Sequence, residues 1–377
     1  MKISLTCIAI LLLTNCKNEI KLEKEMVKNI TNYAFYVGTY TEKDSKGIYK
    51  YVIEADGNLK KIGLAAKSEN PSYLALSPNK KYVLAVNEVN KDNVGFVKSY
   101  AILNDSLKLI STASSGGAHP CFVGVNKNGY VITANYTGGN IGLLHLKENG
   151  GLSDILDVQQ HVGKGTTDRQ EAPHAHSAWF EKNNDNNVIV ADLGTNELWF
   201  STIDSQLNKL VPAMPNKLGM AQGAGPRHIA FNPDKSMVYV LNELDNTITL
   251  ISKLETGEYK KISSVSTLPK EYTDYSKSAD IHISKDGKFL YASNRGHNSI
   301  AIFGVNNENG SLTPLGYEPT KGENPRNFSL TPDDSYLVVA NQDSDNIISF
   351  KRNVETGLLS YVSEIKAPTP VCILFAE

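Results

Sequence analysis

Pro226-Arg-His-Ile-Ala-Phe-Asn-Pro-Asp-Lys-Ser-Met-Val-Tyr-Val-Leu-Asn242-Glu243 carries two runs rich in Val, Ile, Tyr, Phe and Leu on either side of Asn-Pro-Asp-Lys. Pro presets the dihedral of a tight turn, and Asp and Asn tolerate its unusual backbone angles, so the stretch reads as strand, turn, strand. The same wording appears as Pro71-Ser-Tyr-Leu-Ala-Leu-Ser-Pro-Asn-Lys-Lys-Tyr-Val-Leu-Ala-Val-Asn87-Glu88, and again from Pro325 to Asn341-Gln342. Looser copies run from Pro120 to Asn135-Tyr136, from Pro173 to Asp192 and from Ser278 to Asn294-Arg295. A second hairpin follows, as in Asp245-Asn-Thr-Ile-Thr-Leu-Ile-Ser252 with Glu255-Thr-Gly257 as its turn, and then a more polar last strand.

Four strands per unit at a period of roughly 40 to 50 residues is the signature of a propeller blade. Leading positions at 71, 120, 173, 226, 278 and 325 mark six units, and no useful helix-period stripe lies between them. The ends supply the seventh. Thr369-Pro-Val-Cys-Ile-Leu-Phe375 resembles an opening strand, while Tyr33–Tyr40 and Gly47–Val52 resemble the two strands that follow it. The expected fold is all-β, a seven-bladed β-propeller whose last blade is closed by both termini, with residues 33–377 as its one domain. Such closure removes open edges from the ring.

The first sixteen residues are a separate object. Lys2 precedes the apolar run Ile8–Leu13, too short to span a bilayer, and Leu13-Thr-Asn-Cys16 resembles a lipoprotein cleavage box. Residues 1–16 are therefore expected to be a signal peptide with Cys16 as the candidate lipidated residue. Residues 17–32 are expected to be a solvated tether, and the protein to be exported to the cell envelope or periplasm. Any membrane attachment would run through that lipid alone. Net charge −2 with no basic stripe argues against nucleic acid, and a monomer is expected. Cys7 and Cys16 lie in the leader, and Cys121 and Cys372 sit in opening strands of different units, which does not make a disulfide framework.

In an antiparallel hairpin the start of the first strand lies beside the end of the second. The residue after each leading Pro and the residue after each closing Asn should therefore meet at one mouth of the ring. The first set is Ser72, Cys121, His174, Arg227, Ala279, Arg326 and Val371. The second is Glu88, Tyr136, Leu193, Glu243, Arg295 and Gln342, with His228, Asp280 and Asn327 one residue further in. Asn87, Asn135, Asp192, Asn242, Asn294 and Asn341 recur in nearly every unit, which favours a turn-building role over a ring of metal ligands. The variable positions are different, because core packing does not ask for two arginines, two glutamates and several histidines at equivalent sites. Arg offers forked donors to a carboxylate or phosphate, and Glu and His can move protons. His174 and His176, two apart on a strand, could share a metal. No third ligand stands near them in the sequence and two arginines would repel a cation, so no metal is expected.

At these residues the chain resembles the seven-bladed propeller lactonase family, which includes propeller-type 6-phosphogluconolactonases and carboxy-muconate lactonizing enzymes. The matching motifs include Phe35–Thr41, Ala134–Gly139, Ala172-Pro-His-Ala-His176, Gly225-Pro-Arg-His228, Leu241–Leu244 and Ala292–His297. They span residues 33–375. Phe122 departs from the pattern, since members often carry His after His-Pro-Cys. The resemblance implies hydrolysis of a sugar lactone without metal or organic cofactor, with the family's proposed site carried over to His174, His176, Arg227, Glu243 and Arg295. Glu243 or His174 is expected to activate water, and Arg227 and Arg295 to hold the substrate's anionic group and the oxyanion. His176, His228, Arg326 and Glu88 are expected to bind substrate. Loss of Arg227 is expected to spare the melting temperature. Two other readings use the same mouth: a non-catalytic binding lipoprotein, or a muconate-type cycloisomerase.

Overall fold

A computed structural model describes residues 31–181, 183–233 and 237–376. The expected leader with Cys16, and residues 17–30 of the expected tether, lie outside these. The described residues form seven four-stranded antiparallel sheets. One blade shows how the repeat works. Its strands are Pro325–Leu330, Tyr336–Asn341, Asn346–Arg352 and Leu359–Lys366. Between the first two, Asp334 adopts a left-handed φ of 59°, Thr331 Oγ1 donates to Asp333 Oδ1 at 2.7 Å and Ser335 N donates to the same oxygen at 3.1 Å. The second and third strands are almost wholly buried and the outermost is half exposed, as its polar sequence requires.

Each blade buries its apolar face against the next. Seven clusters of buried side chains result, one at every contact between neighbouring blades around the ring. The seventh sheet has the order Pro370–Phe375, Tyr33–Thr39, Gly47–Ile53, Leu59–Lys67, so both ends of the chain complete one blade. Phe35 faces Phe375 across that seam with ring centroids 5.5 Å apart. The expected seven-bladed, termini-closed ring is the observed one.

The feature that builds the site is a bulge near the start of the first strands. The register skips Cys121, His176, Arg227, Arg326 and Val371, and in one blade both Ala279 and Asp280. In the remaining blade Val86 N donates to Tyr73 O, which leaves Ser72 in the same place. A bulge puts an extra residue against one partner and re-aims its side chain. Here most of these residues line the channel. One sequence expectation changes as a result. Ala175, not Pro173, pairs with Asp192, so that repeat starts two residues later. His176 is thus the counterpart of Arg227, and His174 falls outside the first strand.

Candidate active site at the channel mouth

Six of the bulge residues, Ser72, Cys121, His176, Arg227, Arg326 and Val371, wall a cavity of about 10 Å³ within the channel, together with Tyr73, His228 and Asn327. That is room for about one water molecule. Below it, Tyr73, Phe122, Trp179 and His228 pack ring against ring at 4.6–6.4 Å. Phe122 thus forms part of an aromatic floor.

The repeating Asn residues build the blades. Asn135 Nδ2 donates to Ser115 O at 2.9 Å, Asn294 Nδ2 to Thr267 O at 2.7 Å and Asn341 Nδ2 to Thr320 O at 2.9 Å, each tying a second strand to the segment that leaves its blade. Asp192 does related work, accepting from His174 N and Thr195 N at 2.9 Å and pairing with His161 Nδ1 at 2.6 Å.

Glu243 is the centre of charge. Its Oε2 meets Arg227 Nε at 3.0 Å and Arg295 Nη2 at 2.9 Å, and its Oε1 meets Arg169 Nη2 at 3.4 Å. Burial disfavours the charged form, but Arg295, Arg227 and Arg169 outweigh it and hold the carboxyl at about 2. Glu243 is therefore a carboxylate at any ordinary pH. The Arg227 and Glu243 side chains are each only 3% exposed, so their pairing is a core interaction. Removing one member of a buried pair strands the other, which typically costs about 3–5 kcal/mol. The expectation that Arg227 can be lost without affecting melting is overturned by this burial.

Glu88 occupies the position equivalent to Glu243 and has other partners. Ser72 Oγ and Tyr40 Oη donate to Glu88 Oε2, the latter at 2.9 Å, and Arg326 Nη2 reaches Tyr40 Oη at 2.8 Å. Arg326 thus acts on Glu88 through a phenol.

A third network lies one residue deeper. His228 Nδ1 donates to Asp280 Oδ1 at 2.7 Å, which leaves Nε2 as an acceptor 3.3 Å from Arg227 Nη1. Burial and Arg227 lower the His228 pKa to about 4 despite Asp280, so the ring is neutral at pH 7. Burial, Arg227, His228 and Arg326 hold His176 well below its usual value, so it too is neutral. Asp280 also accepts from His282 Nε2 at 3.0 Å and from Asn327 Nδ2, and Asn327 Oδ1 accepts from Ile373 N at 2.6 Å. The last bond ties the C-terminal strand into the site.

His174 and His176 do not converge on one point. Tyr136 lies between them, stacked on His174 at 4.4 Å and edge-on to His176 at 5.6 Å. His174 Nδ1 faces Tyr136 O at 3.0 Å and Nε2 faces Glu171 Oε1 at 3.1 Å, so both nitrogens already face acceptors. His174 thus sits outside the first strand, where Tyr136 and Glu171 hold its ring. Among the described residues no group of three or more His, Cys, Asp and Glu side chains is placed to hold a metal ion. Cys121 Sγ donates to His176 O at 3.3 Å, and burial pushes both buried thiols up, that of Cys372 to about 12. Neither is activated.

This geometry can be set beside known proteins. A family model described as "Lactonase, 7-bladed beta-propeller" matches residues 34–375. The chain belongs to the seven-bladed β-propeller lactonase family. It is 37% identical over 352 residues to a 6-phosphogluconolactonase of Bacillus subtilis (strain 168), with 92% of this chain and 99% of that protein covered. It is 35% identical over 333 residues to a 6-phosphogluconolactonase of Formosa agariphila, covering 86% of this chain and 94% of the relative. A solved periplasmic gluconolactonase of Pseudomonas aeruginosa superposes with a TM-score of 0.87 at 27% identity, over 92% of this chain and 99% of that one.

For a lactonase of this family, the mouth brings together Glu243, Arg227, Arg295 and His228 as expected, with His176, Arg326 and Glu88 around the same channel. Sequence reading missed two contributors. Tyr40 follows Thr39, which pairs with Pro370 as Asn242 pairs with Pro226. Counting the seventh blade through the repeat would have found it. Arg169 belongs to the short 3₁₀ turn Asp168–Gln170 between blades, where no repeat register points. Asp280 and Asn327 were placed correctly, one residue behind the mouth, but their joining role was not visible.

Proposed function

We propose that this protein hydrolyses an anionic sugar lactone, of the 6-phosphogluconolactone type, to the free acid. The observation that carries the reading is Glu243. It is an ionised carboxylate whose Oε2 is fixed by two arginines, while its Oε1 has a single long contact to Arg169. Oε1 is the less committed oxygen, and in this reading it is the one that meets water. Water attacks the lactone carbonyl carbon as Glu243 takes its proton. The ring C–O bond then breaks, and that proton passes to the departing ring oxygen, giving the hydroxy acid. Arg227 and Arg326, which wall the water-sized cavity with neutral His176, are suited to the developing oxyanion. Arg295 holds Glu243, and His174 supports the rim. Base catalysis of this kind typically supplies about 10²–10⁴-fold, and a lost oxyanion donor typically costs about 10²–10³-fold.

The names of the Bacillus subtilis and Pseudomonas aeruginosa relatives support a gluconic lactone as the substrate class. The periplasmic relative and the apolar leader support export, with Cys16 as the lipid anchor; a Cys16→Ser protein that still carried lipid would remove that anchor. The test of function is lactone consumption by residues 17–377 on phosphorylated and unphosphorylated gluconolactone, with spontaneous hydrolysis subtracted. Turnover well above background is expected on the phosphorylated compound. Background rates on both would refute the reading and leave a binding protein.

A further inference from the structure

Two clefts open near the mouth, one with Glu88 in its wall and the other with Arg169, which reaches Glu243. One, of about 520 Å³, is bordered by Glu42, Glu69, Glu88, Asn70 and Lys91, and Lys91 is already paired with Glu69 at 2.6 Å. It is acidic. The other, of about 510 Å³, is bordered by Arg169, Lys277, Tyr275 and Asn246, with exposed Asp168 and Asp274. Each is large enough for a small metabolite. The inner arginines face the water-sized cavity or Glu243 rather than the open cleft. Arg227 serves Glu243, Ala279 O and His228, and Arg295 serves Glu243 and Ser278 O at 3.1 Å. Arg169 differs in bordering the cleft with its side chain 45% exposed, its Nη2 shared between Tyr136 Oη at 2.8 Å and Glu243 Oε1 at 3.4 Å. Its loop is pinned from below. Buried Gln170 donates to Leu193 O at 2.8 Å and to Asn196 Oδ1 at 3.2 Å, and Gly165 N donates to Gln170 O at 2.9 Å.

Resting on the lactonase reading, we propose that Arg169 and Lys277 form the anion arm of the site, binding the substrate's phosphate. The lactone ring then lies over Glu243, with its hydroxyls toward Glu88, Tyr40 and Asn70. The acidic cleft rejects the reversed orientation. As the phosphate takes Arg169, the long contact to Glu243 Oε1 is released, and that oxygen gains basicity when substrate is in place. Arg169 and Lys277 are thus specificity residues for phosphorylated over neutral lactones.

The experiment measures kcat/KM on both lactones for wild type, Arg169→Ala, Arg169→Lys and Lys277→Ala, with melting temperatures to show each variant folded. It also measures calorimetric binding of 6-phosphogluconate and gluconate. The preference ratio, phosphorylated over neutral, should fall about 10- to 100-fold in Arg169→Ala, the loss expected for a charge-assisted contact. It should fall less in Lys277→Ala and recover partly in Arg169→Lys. 6-Phosphogluconate should bind wild type at least tenfold tighter than gluconate, and Arg169→Ala should erase most of that difference. An unchanged ratio and unchanged product binding in Arg169→Ala would overturn the anion arm while leaving the lactonase standing. Wild type inactive on both lactones would overturn the lactonase reading, and product binding would still decide the arm.

Discussion

Glu88 and Glu243 stand at the same place in two copies of one repeat, each one residue past a closing Asn and beside a bulged first-strand residue. The blade delivers both carboxylates to the mouth of the channel. What differs is the bulge partner and the neighbours, because Ser72 and Tyr40 offer Glu88 hydroxyls while Arg227, Arg295 and Arg169 offer Glu243 guanidinium groups. A hydroxyl network holds a carboxylate in position. A cluster of cations holds it ionised in a buried setting and leaves the surroundings positive enough to attract an anion. The scaffold therefore sets where a group sits, and the variable positions set what it can do.

The comparison breaks most completely if the ring is opened. Deleting residues 369–377 removes Val371, Cys372, Ile373 and Phe375 from the seam, all buried. At about 1.5–3 kcal/mol per large apolar side chain, the loss rivals the whole stability of a domain, about 5–15 kcal/mol. The truncated chain should aggregate. A monodisperse product with an unchanged melting temperature by size exclusion and thermal melt would contradict ring closure by both termini. Arg227→Ala comes next and should destabilise by about 3–5 kcal/mol, because Glu243 is left buried with less compensation. Ser72→Ala, at the matching position beside Glu88, removes one hydrogen bond to a carboxylate and should cost less, about 1.5–3 kcal/mol. Denaturant titration of the two variants separates them, and equal losses would erase the distinction between the two carboxylates.

Acid should then reveal the Glu243 side selectively. His228 has a folded-state pKa of about 4 against an ordinary 6.5, and His176 is lowered as well, so the unfolded chain binds more protons below 6.5. Stability contributed by the neutral rings is full above pH 6.5 and falls as pH drops toward 4. Glu243, lowered from 4.5 to about 2, adds a second loss between those values. Melting temperature should decline in both windows, and Glu243→Gln should shrink the second decline, leaving the share of Asp280, which despite its burial His282 and His228 also hold below its ordinary value. A flat profile from pH 7 to 4 would contradict buried neutral histidines. The smallest expected effect is Tyr40→Phe, which uncouples Arg326 from Glu88 at a cost of about 1.5 kcal/mol, with less than tenfold loss of turnover.

Much of this was legible because the repeat is written in side chains that build turns and cores. The Pro and Asp of each hairpin, and the alternation of apolar residues, fix seven blades and put Arg227, Glu243, Arg295 and Arg326 at one mouth. The one error in register came from Pro173-His-Ala-His176, where a Pro two residues early mimics the leading position. Only the backbone bulge shows that His176, and not His174, faces inward. Tyr40 escaped because its blade is split between the two ends of the chain and closes on Thr39 where most blades use Asn. Arg169 had no signal, since a loop residue takes its position from tertiary contacts such as those of Gln170. Burial was equally hidden. A sequence can place Arg227 next to Glu243, but it cannot show that both lie in the core.

The most direct measurement is the turnover of Glu243→Gln and Glu88→Gln side by side on phosphorylated gluconolactone at pH 7, corrected for spontaneous hydrolysis. The account predicts that Glu243→Gln loses about 10²–10⁴-fold in kcat, the share of a positioned base, while Glu88→Gln stays within about tenfold of wild type, the scale of a single hydrogen-bond change. Equal losses in the two variants, or full turnover in Glu243→Gln, would contradict it.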